Sequence, residues 1–442
     1  MRPFMLCICL AVLVVPLGPA FCQTFNARRM AMGGVVIGGG GPAGQTSNVA
    51  YRAVPAPSGG ATELTLPLGL IPLLANPPSL DPDDSDFNLF ELANLLYNPP
   101  WNLQLIAHDA PANDISIAIA RDRLAVDLGE IADVFPADRS RSAGVQHGPA
   151  LTLGMRGAFV SASPLVQYDN DLSLNEALRR ALRDGEPFTP NTGYAMFDRA
   201  RGQAAMSAEF GWAGPLVARG ADARAADGTA LYVGARAKLL RGLAYGDADN
   251  VVAFSTADTL FASDPVNLDY RALLRDAGPA GGRLGRGLDL GMVWLWRGAE
   301  FGIGVNDIAT RIDWRVRESL AYTDSTTGEF TQQVLRDGVP ITSEVPATVT
   351  VNAAVRVGGV LVAADAVRGA FRTAAHLGLE TWRGPVAFRA GGGIDLNRQA
   401  QFSGGLGMRL GHFGVDLALA THSRNLSRER GLELGAGLAL YH

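Results

Sequence analysis

From about Ile115 onward, apolar and less apolar residues alternate with a period of two, the signature of strands that present one greasy face. In the stretch 287–297, GLDLGMVWLWR, the residues Leu288, Leu290, Met292, Trp294 and Trp296 fall on one side. Gly287, Asp289, Gly291, Val293, Leu295 and Arg297 fall on the other. The stretch 230–240 repeats the design, with Leu231, Val233, Ala235, Ala237 and Leu239 opposing Tyr232, Gly234, Arg236 and Lys238. The same alternation returns over 349–357, 386–394, 402–410, 413–419 and 432–440.

These segments run about nine to twelve residues, longer than the five or six of a mean globular strand and matched to the nine to eleven that cross a bilayer at a tilt. The apolar stripe persists along each whole segment, whereas a soluble sheet exposes a polar face. Tight, glycine-bearing hairpin signals stand at 297–300 (RGAE), 358–359 (GG), 383–385 (RGP) and 411–412 (GH). Long polar connections are expected near 162–203, 257–286, 322–346 and 421–430. Short turns on one rim and long loops on the other predict an all-β fold, a closed antiparallel transmembrane β-barrel of about 14 strands (range about 12–18). One long loop is expected to carry a short helix, SLNEALRRALRDG, with Ser173 and Glu176 in capping-box spacing and a stop at Gly185.

The first residues, MRPFMLCICLAVLVVPLGPAFCQT, combine Arg2, an apolar run from Met5 to Leu17 and a small-residue exit, the form of a secretory signal peptide cleaved after Ala20 or Cys22. The expected division is therefore 1–22 signal peptide, 23–100 a Gly/Pro-rich hatch or irregular entry segment, and 101–442 barrel. No later run reaches the 18 apolar residues of a membrane helix. The cysteines are Cys7, Cys9 and Cys22, so a mature chain has at most one thiol and no internal disulfide or multi-thiolate metal site.

Candidate chemistry adds little to this picture. Gly39 to Gly44 spells G-x-G-x-x-G, but Pro55, Pro57, Gly59 and Gly60 oppose the crossover helix that a dinucleotide site needs. The histidines, His108, His147, His376, His412, His422 and His442, lack metal-site spacing; His422 beside Ser423 is the only candidate for a rim-active enzyme, and adjacent strand residues point apart. The acidic stretches 81–86 and 168–176 lack the EF-hand pattern. The expectation is no enzyme, with no catalytic, cofactor-binding or metal-ligating residue assigned and no cofactor. Net charge is -5, with scattered arginines and Lys238 the single lysine, which argues against nucleic acid as a partner. Charges read onto the less apolar strand faces are Arg156, Arg236, Lys238, Glu209, Asp289, Asp313, Arg315, Arg317, Arg389 and Arg409. They either pair across the interior or line an aqueous path. Trp294, Trp296, Trp314 and Trp382 are placed near strand ends as girdle residues.

The stretch 25–38, FNARRMAMGGVVIG, resembles the ARAMGMGGA-type motif that opens the amino-terminal hatch of the FadL-like outer-membrane superfamily. The stretch 286–314, RGLDLGMVWLWRGAEFGIGVNDIATRIDW, resembles the strand, tight turn and GLGVNNL-type ending of the TraF-like and PorV-like branches. GGPAGQTSN is a weak echo of the family's NPAGL-type element, and the chain ends Tyr441-His442 with its aromatic one place early. The resemblance implies an outer-membrane barrel of a Gram-negative-type bacterium that passes or binds small hydrophobic molecules. The alternative is a structural, secretion or conjugation accessory acting through extracellular loops; a rim-active enzyme is the remaining reading. Implied partners are outer-membrane lipid, the barrel-assembly machinery, and small hydrophobic ligands or a surface protein.

Overall fold

The alternation becomes strands. The computed structural model describes residues 26–36, 42–55, 61–79, 102–106, 116–120, 123–135, 139–147, 151–155, 157–219, 225, 228–258, 266–323, 330–370, 373–395, 400–421 and 431–441. In chain order the strands are β1 (Ala61–Leu66), β2 (Leu103–Ile106), β3 (Ser116–Ala120), β4 (Arg123–Asp127), β5 (Arg139–His147), β6 (Leu151–Met155), β7 (Ala158–Leu174), β8 (Gly193–Arg219), β9 (Thr229–Thr256) and β10 (Val266–Ala277). There follow β11 (Leu284–Trp296), β12 (Ala299–Thr323), β13 (Phe330–Val345), β14 (Thr348–Val357), β15 (Val360–Gly369), β16 (Thr373–Arg383), β17 (Val386–Asp395), β18 (Ala400–Leu410), β19 (Phe413–Thr421) and β20 (Leu432–Tyr441). The helices are α1 (Ala27–Ala31), α2 (Pro42–Gln45), α3 (Leu70–Ala75) and α4 (Glu176–Arg183).

Among the described residues, eighteen strands join one antiparallel sheet, and β3 with β4 forms a separate hairpin. The wall closes on itself, with β1 and β2 both lying against the final strand β20. Two successive strands share one neighbour elsewhere too: β10 and β11 lie between β9 and β12, and β13 and β14 both pair with β12. Because β1 belongs to the wall, barrel residues begin at Ala61, inside the 23–100 stretch expected to precede them.

Exposure along the strands is inverted relative to a soluble protein. Leu290, Met292, Trp294 and Trp296 of β11 are exposed, while Asp289, Val293 and Leu295 are buried. Glu209, Lys238, Glu300, Asp365, Glu380 and Arg389 are buried on other strands. A closed barrel in lipid demands this arrangement, since its backbone groups are paired and its outer row touches acyl chains.

Strands β14 to β20 contain 9 to 11 residues, the expected span. By contrast β8, β9 and β12 contain 27, 28 and 25 residues. The expected short turns at 297–298, 358–359, 384–385 and 411–412 all lie on one rim, so the excess length rises past the membrane at the other. At the first two turns paired positive φ values (Arg297 51°, Gly298 77°; Gly358 57°, Gly359 86°) are those of type I′ hairpins. The connections expected near 162–203, 257–286 and 322–346 are shorter than read, because β7, β8, β10, β12 and β13 extend into them.

Helix α4 forms where expected, but its cap is Asn175, whose side chain accepts from Leu178 N–H at 2.9 Å. Ser173 is paired within β7, opposite Phe197. The helix ends at Gly185 (φ 69°) with Glu186 N–H donating to the Arg180 carbonyl. It packs Leu178 and Ala181 on Phe188, Tyr194, Leu174, Met196 and Phe254, with Leu124 and Val126 of β4 alongside. The signal-peptide residues and His108, His422, Ser423, His442 and 81–86 lie outside the described residues, as do the side chains of His147 and Arg156.

Candidate functional site: the barrel interior

The barrel lumen holds the amino-terminal segment. Asn26 caps α1 by accepting from Arg29 N–H at 2.9 Å, and the chain then turns through Gly33 (φ 77°) and Gly34 (φ 85°). It lies directly on the glycine row of β17: a Cβ at Gly391 would stand 2.1 Å from the Met32 carbonyl carbon. Only a bare backbone permits that approach. Arg28 reaches Glu380 of β16 through two bonds of 2.8 Å, Nε to Oε2 and Nη2 to Oε1. The same carboxylate accepts from Arg389 Nε at 2.8 Å, and Arg389 also donates to Asp416. Val36 N–H donates to Asp365, whose other oxygen contacts His376 Nδ1.

A second set of contacts holds residues 46–54 against the opposite arc. Asn48 Nδ2 donates to the carbonyls of Met292 (3.0 Å) and Ile303 (3.1 Å), and Asn306 Nδ2 to the Thr46 carbonyl (2.8 Å). The Tyr51 hydroxyl donates to Glu300 at 2.6 Å and accepts from Asn352. Val36, Ala50, Tyr51 and Val54 form an apolar cluster with Ala230, Tyr232, Val293 and Leu295, which explains why the inner face of β11 is partly apolar.

Read upward from the short-turn rim, the inner row of β9 orders the lumen into layers. Ala230 and Tyr232 pack on the amino-terminal segment, and Gly234 lies against Ala50. Next come Arg236 and Lys238. Arg236 pairs with Glu209 (3.1 Å) and Asp289, and Lys238 Nζ with Asp289 (2.9 Å) and Asp307 (2.8 Å). Asp307 enters this layer through a bulge, with φ of 61° at Asp307 and 49° at Ala309, and its N–H donates to Asp289 at 2.8 Å. Above lies an apolar layer contributed by six strands: Leu165, Ala205, Leu240, Ala277, Ile312, Trp314, Val316 and Val345.

Of the charges read onto the inner face, Glu209, Arg236, Lys238 and Asp289 come together as one buried network, and Arg389 joins another. Pairing, the first of the two readings, describes these. Asp313, Arg315 and Arg317 are corrected: they are exposed on the outer face, and their even-numbered neighbours Ile312, Trp314 and Val316 are buried. Arg409 stands beside the short turn, donating to the Gly411 carbonyl. Trp294 and Trp296 stack on the exposed rim as girdle residues do. Trp314 does not; it is buried against Tyr245 and donates to Ser343 at 2.8 Å. Glu380, Asp365 and Glu300 were missed, yet each sits on the glycine-and-charge face of an alternating strand, so the same count by two would have found them.

After Gly44 the chain makes a turn and a short 3₁₀ segment, and the next strand pairs antiparallel with β20. Among the described residues no βαβ unit of the kind that G-x-G-x-x-G requires is built. Among the described residues no group of three or more His, Cys, Asp or Glu side chains is placed to hold a metal ion.

An apolar outer belt around a closed, internally paired antiparallel wall defines a transmembrane β-barrel, here with a polypeptide segment held in its lumen. No family model matches the chain, and no curated protein matches it. Among solved structures it is similar to the TodX monoaromatic hydrocarbon channel deltaS2 mutant, at 13% identity and a TM-score of 0.41 over 95% of this chain and 99% of that one. It is also similar to the Pseudomonas putida toluene transporter TodX (12%, TM-score 0.34, 95% and 98% covered) and to a Pseudomonas aeruginosa FadL homologue (10%, 0.33, 71% and 92%). These are barrels of the FadL-like kind that the amino-terminal motif resembles. None of the three is of the TraF-like or PorV-like branch.

Proposed function

We propose that this chain is an outer-membrane barrel, exported by a cleaved signal peptide, that passes small hydrophobic molecules under control of its amino-terminal hatch, and that it is not an enzyme. One observation carries the reading: the apolar layer of Leu165, Leu240, Ile312, Trp314 and Val316 inside the lumen, above the charged layer. A water-filled pore keeps a polar interior, whereas an apolar solute needs inward surface that gains from desolvating it. Below that layer the charged network and the hatch occupy the path, so passage requires the hatch to shift.

The test is uptake of labelled toluene and of a labelled long-chain fatty acid by cells lacking their own uptake barrels, with and without this chain. Uptake of one of them above the empty-vector level is expected. It should fall at least fivefold in Trp314→Arg, with the folded, heat-modifiable band retained. Folded barrel in the membrane with no uptake of either compound would falsify the reading.

A further inference from the structure

The outer face carries a feature that transport does not use. On β11 the outward row runs Trp296, Trp294, Met292, Leu290, Leu288 and then Arg286. On β12 it runs Phe301, Ile303 and Val305, and beyond the bulge reaches Arg311. On β9 it runs Leu231 through Leu239 and then Arg241. All three arginines are exposed; on β9 and β12 they follow the apolar stripe, and on β11 Arg286 interrupts it, with exposed Leu284 beyond.

Their height follows from strand geometry. The ten residue steps from Trp296 to Arg286 span about 34 Å along a strand, or about 25 Å vertically at a tilt of about 40–45°, which is the height of the apolar band of such barrels. The guanidinium groups therefore stand at the headgroup level of the leaflet on the long-loop side. They are also contiguous: Arg286 is directly opposite Arg311, and because Arg286 pairs with Leu239 and Leu284 with Arg241, Arg241 is its diagonal neighbour on the other side. Like charges directly opposite on neighbouring strands destabilise a sheet. The nearby carboxylates do not neutralise them. Glu344 lies opposite Arg311, and Asp313 two places along accepts from the Thr342 hydroxyl, but neither forms an ion pair with Arg311 among the described residues. Arg241 donates to the Pro279 carbonyl.

We propose that Arg241, Arg286 and Arg311 form a seat for the phosphate groups of a phosphorylated glycolipid in the outer leaflet, its acyl chains lying along Leu288, Leu290, Ile303 and Val305. Planar guanidinium groups bind phosphate oxygens in bidentate fashion, and the apolar rows below supply a surface that a free anion does not use. The seat rests on the barrel lying in an outer membrane, and is independent of transport; uptake and lipid retention can fail separately.

The experiment measures retention of bisphosphorylated lipid A by the detergent-purified barrel, using native mass spectrometry. Wild type is expected to retain it at least tenfold more than the triple variant Arg241→Gln/Arg286→Gln/Arg311→Gln, and to lose that preference for dephosphorylated lipid A. Millimolar inorganic phosphate should leave retention unchanged; full competition by it would show an anion site without a lipid seat and overturn the proposal. Equal retention by wild type and the triple variant would also overturn it, as would an equal loss in Arg383→Gln, which alters an exposed arginine at the opposite rim. Should the triple variant not fold, Arg286→Lys/Arg311→Lys keeps the charge and removes the fork, and an intermediate loss is the supporting result; wild-type retention there overturns the seat.

Discussion

Replacing Glu380 by Gln tests how the hatch is held. The side chain keeps its shape, but the carboxylate that accepts three guanidinium bonds, two from Arg28 and one from Arg389, becomes an amide that offers one oxygen and two N–H donors. Glu380 is 1% exposed, so water does not compensate. Breaking a buried pair by removing one partner costs about 3–5 kcal/mol, and a hydrogen bond to a charged group about 1.5–3 kcal/mol. Arg389 keeps Asp416, so most of the loss falls on Arg28 and hence on hatch docking. A loss of about 3 kcal/mol raises the undocked fraction about a hundredfold, at 1.4 kcal/mol per decade. Trypsin reads this directly, because Arg28 and Arg29 are cut only when the segment leaves the lumen. The amino-terminal cut of the purified barrel, followed by mass spectrometry, should accelerate about a hundredfold while the barrel band persists on a detergent gel. Arg28→Gln should release the hatch comparably at Arg29 and lower the barrel's unfolding temperature less, since Glu380 then retains Arg389. A cut rate unchanged in both variants refutes the assignment of Glu380 as the anchor.

Three further outcomes are expected. Lys238→Met leaves Glu209, Asp289 and Asp307 with Arg236 as the remaining cation of this network among the described residues; the temperature at which the folded band disappears should fall, consistent with a loss of about 3–5 kcal/mol, and Asp307→Asn in the same chain should restore more than half. Gly391→Val forces a side chain into the Met32 backbone, so trypsin release of the hatch should exceed that of Ala390→Val, which points outward; equal release in the two removes the close-approach argument. Burial raises Asp198, in the part of β8 beyond the membrane, from 3.8 to about 7, opposed by hydrogen bonds from Asn250 and Asn170 and helped by repulsion from Asp171 and Asp249. A raised acid stabilises the folded state below its unfolded value and loses that contribution as pH rises from about 4 to about 7. Hydrogen-exchange protection factors, which remove the base-catalysed intrinsic rate, should therefore be lower at pH 8 than at pH 5 at the upper ends of β7, β8 and β9, and Asp198→Asn should flatten the difference; a variant with the wild-type pH profile of protection excludes Asp198 as its source.

The amino-acid sequence by itself determined the lipid-facing row of strands such as β9, β11 and β14, and where the tight turns fall. Both are local: a strand's side chains alternate whatever it pairs with, and a two-residue hairpin is written in its own glycines. That alone made Leu288 to Trp296 an outer row and Arg236 with Lys238 inner charges. Tertiary structure decided the rest. Arg28 meets Glu380 across 352 residues of chain, a contact encoded in neither strand but in the closure that brings β16 to the hatch. The same closure turned Trp314 inward onto Tyr245, because β12 runs far past the bilayer and its upper half lines a lumen where the end of a membrane strand was expected. Met32, Gly33 and Val35 belong to no periodic pattern in one dimension; in three they fit the bare backbone of Gly378 and Gly391.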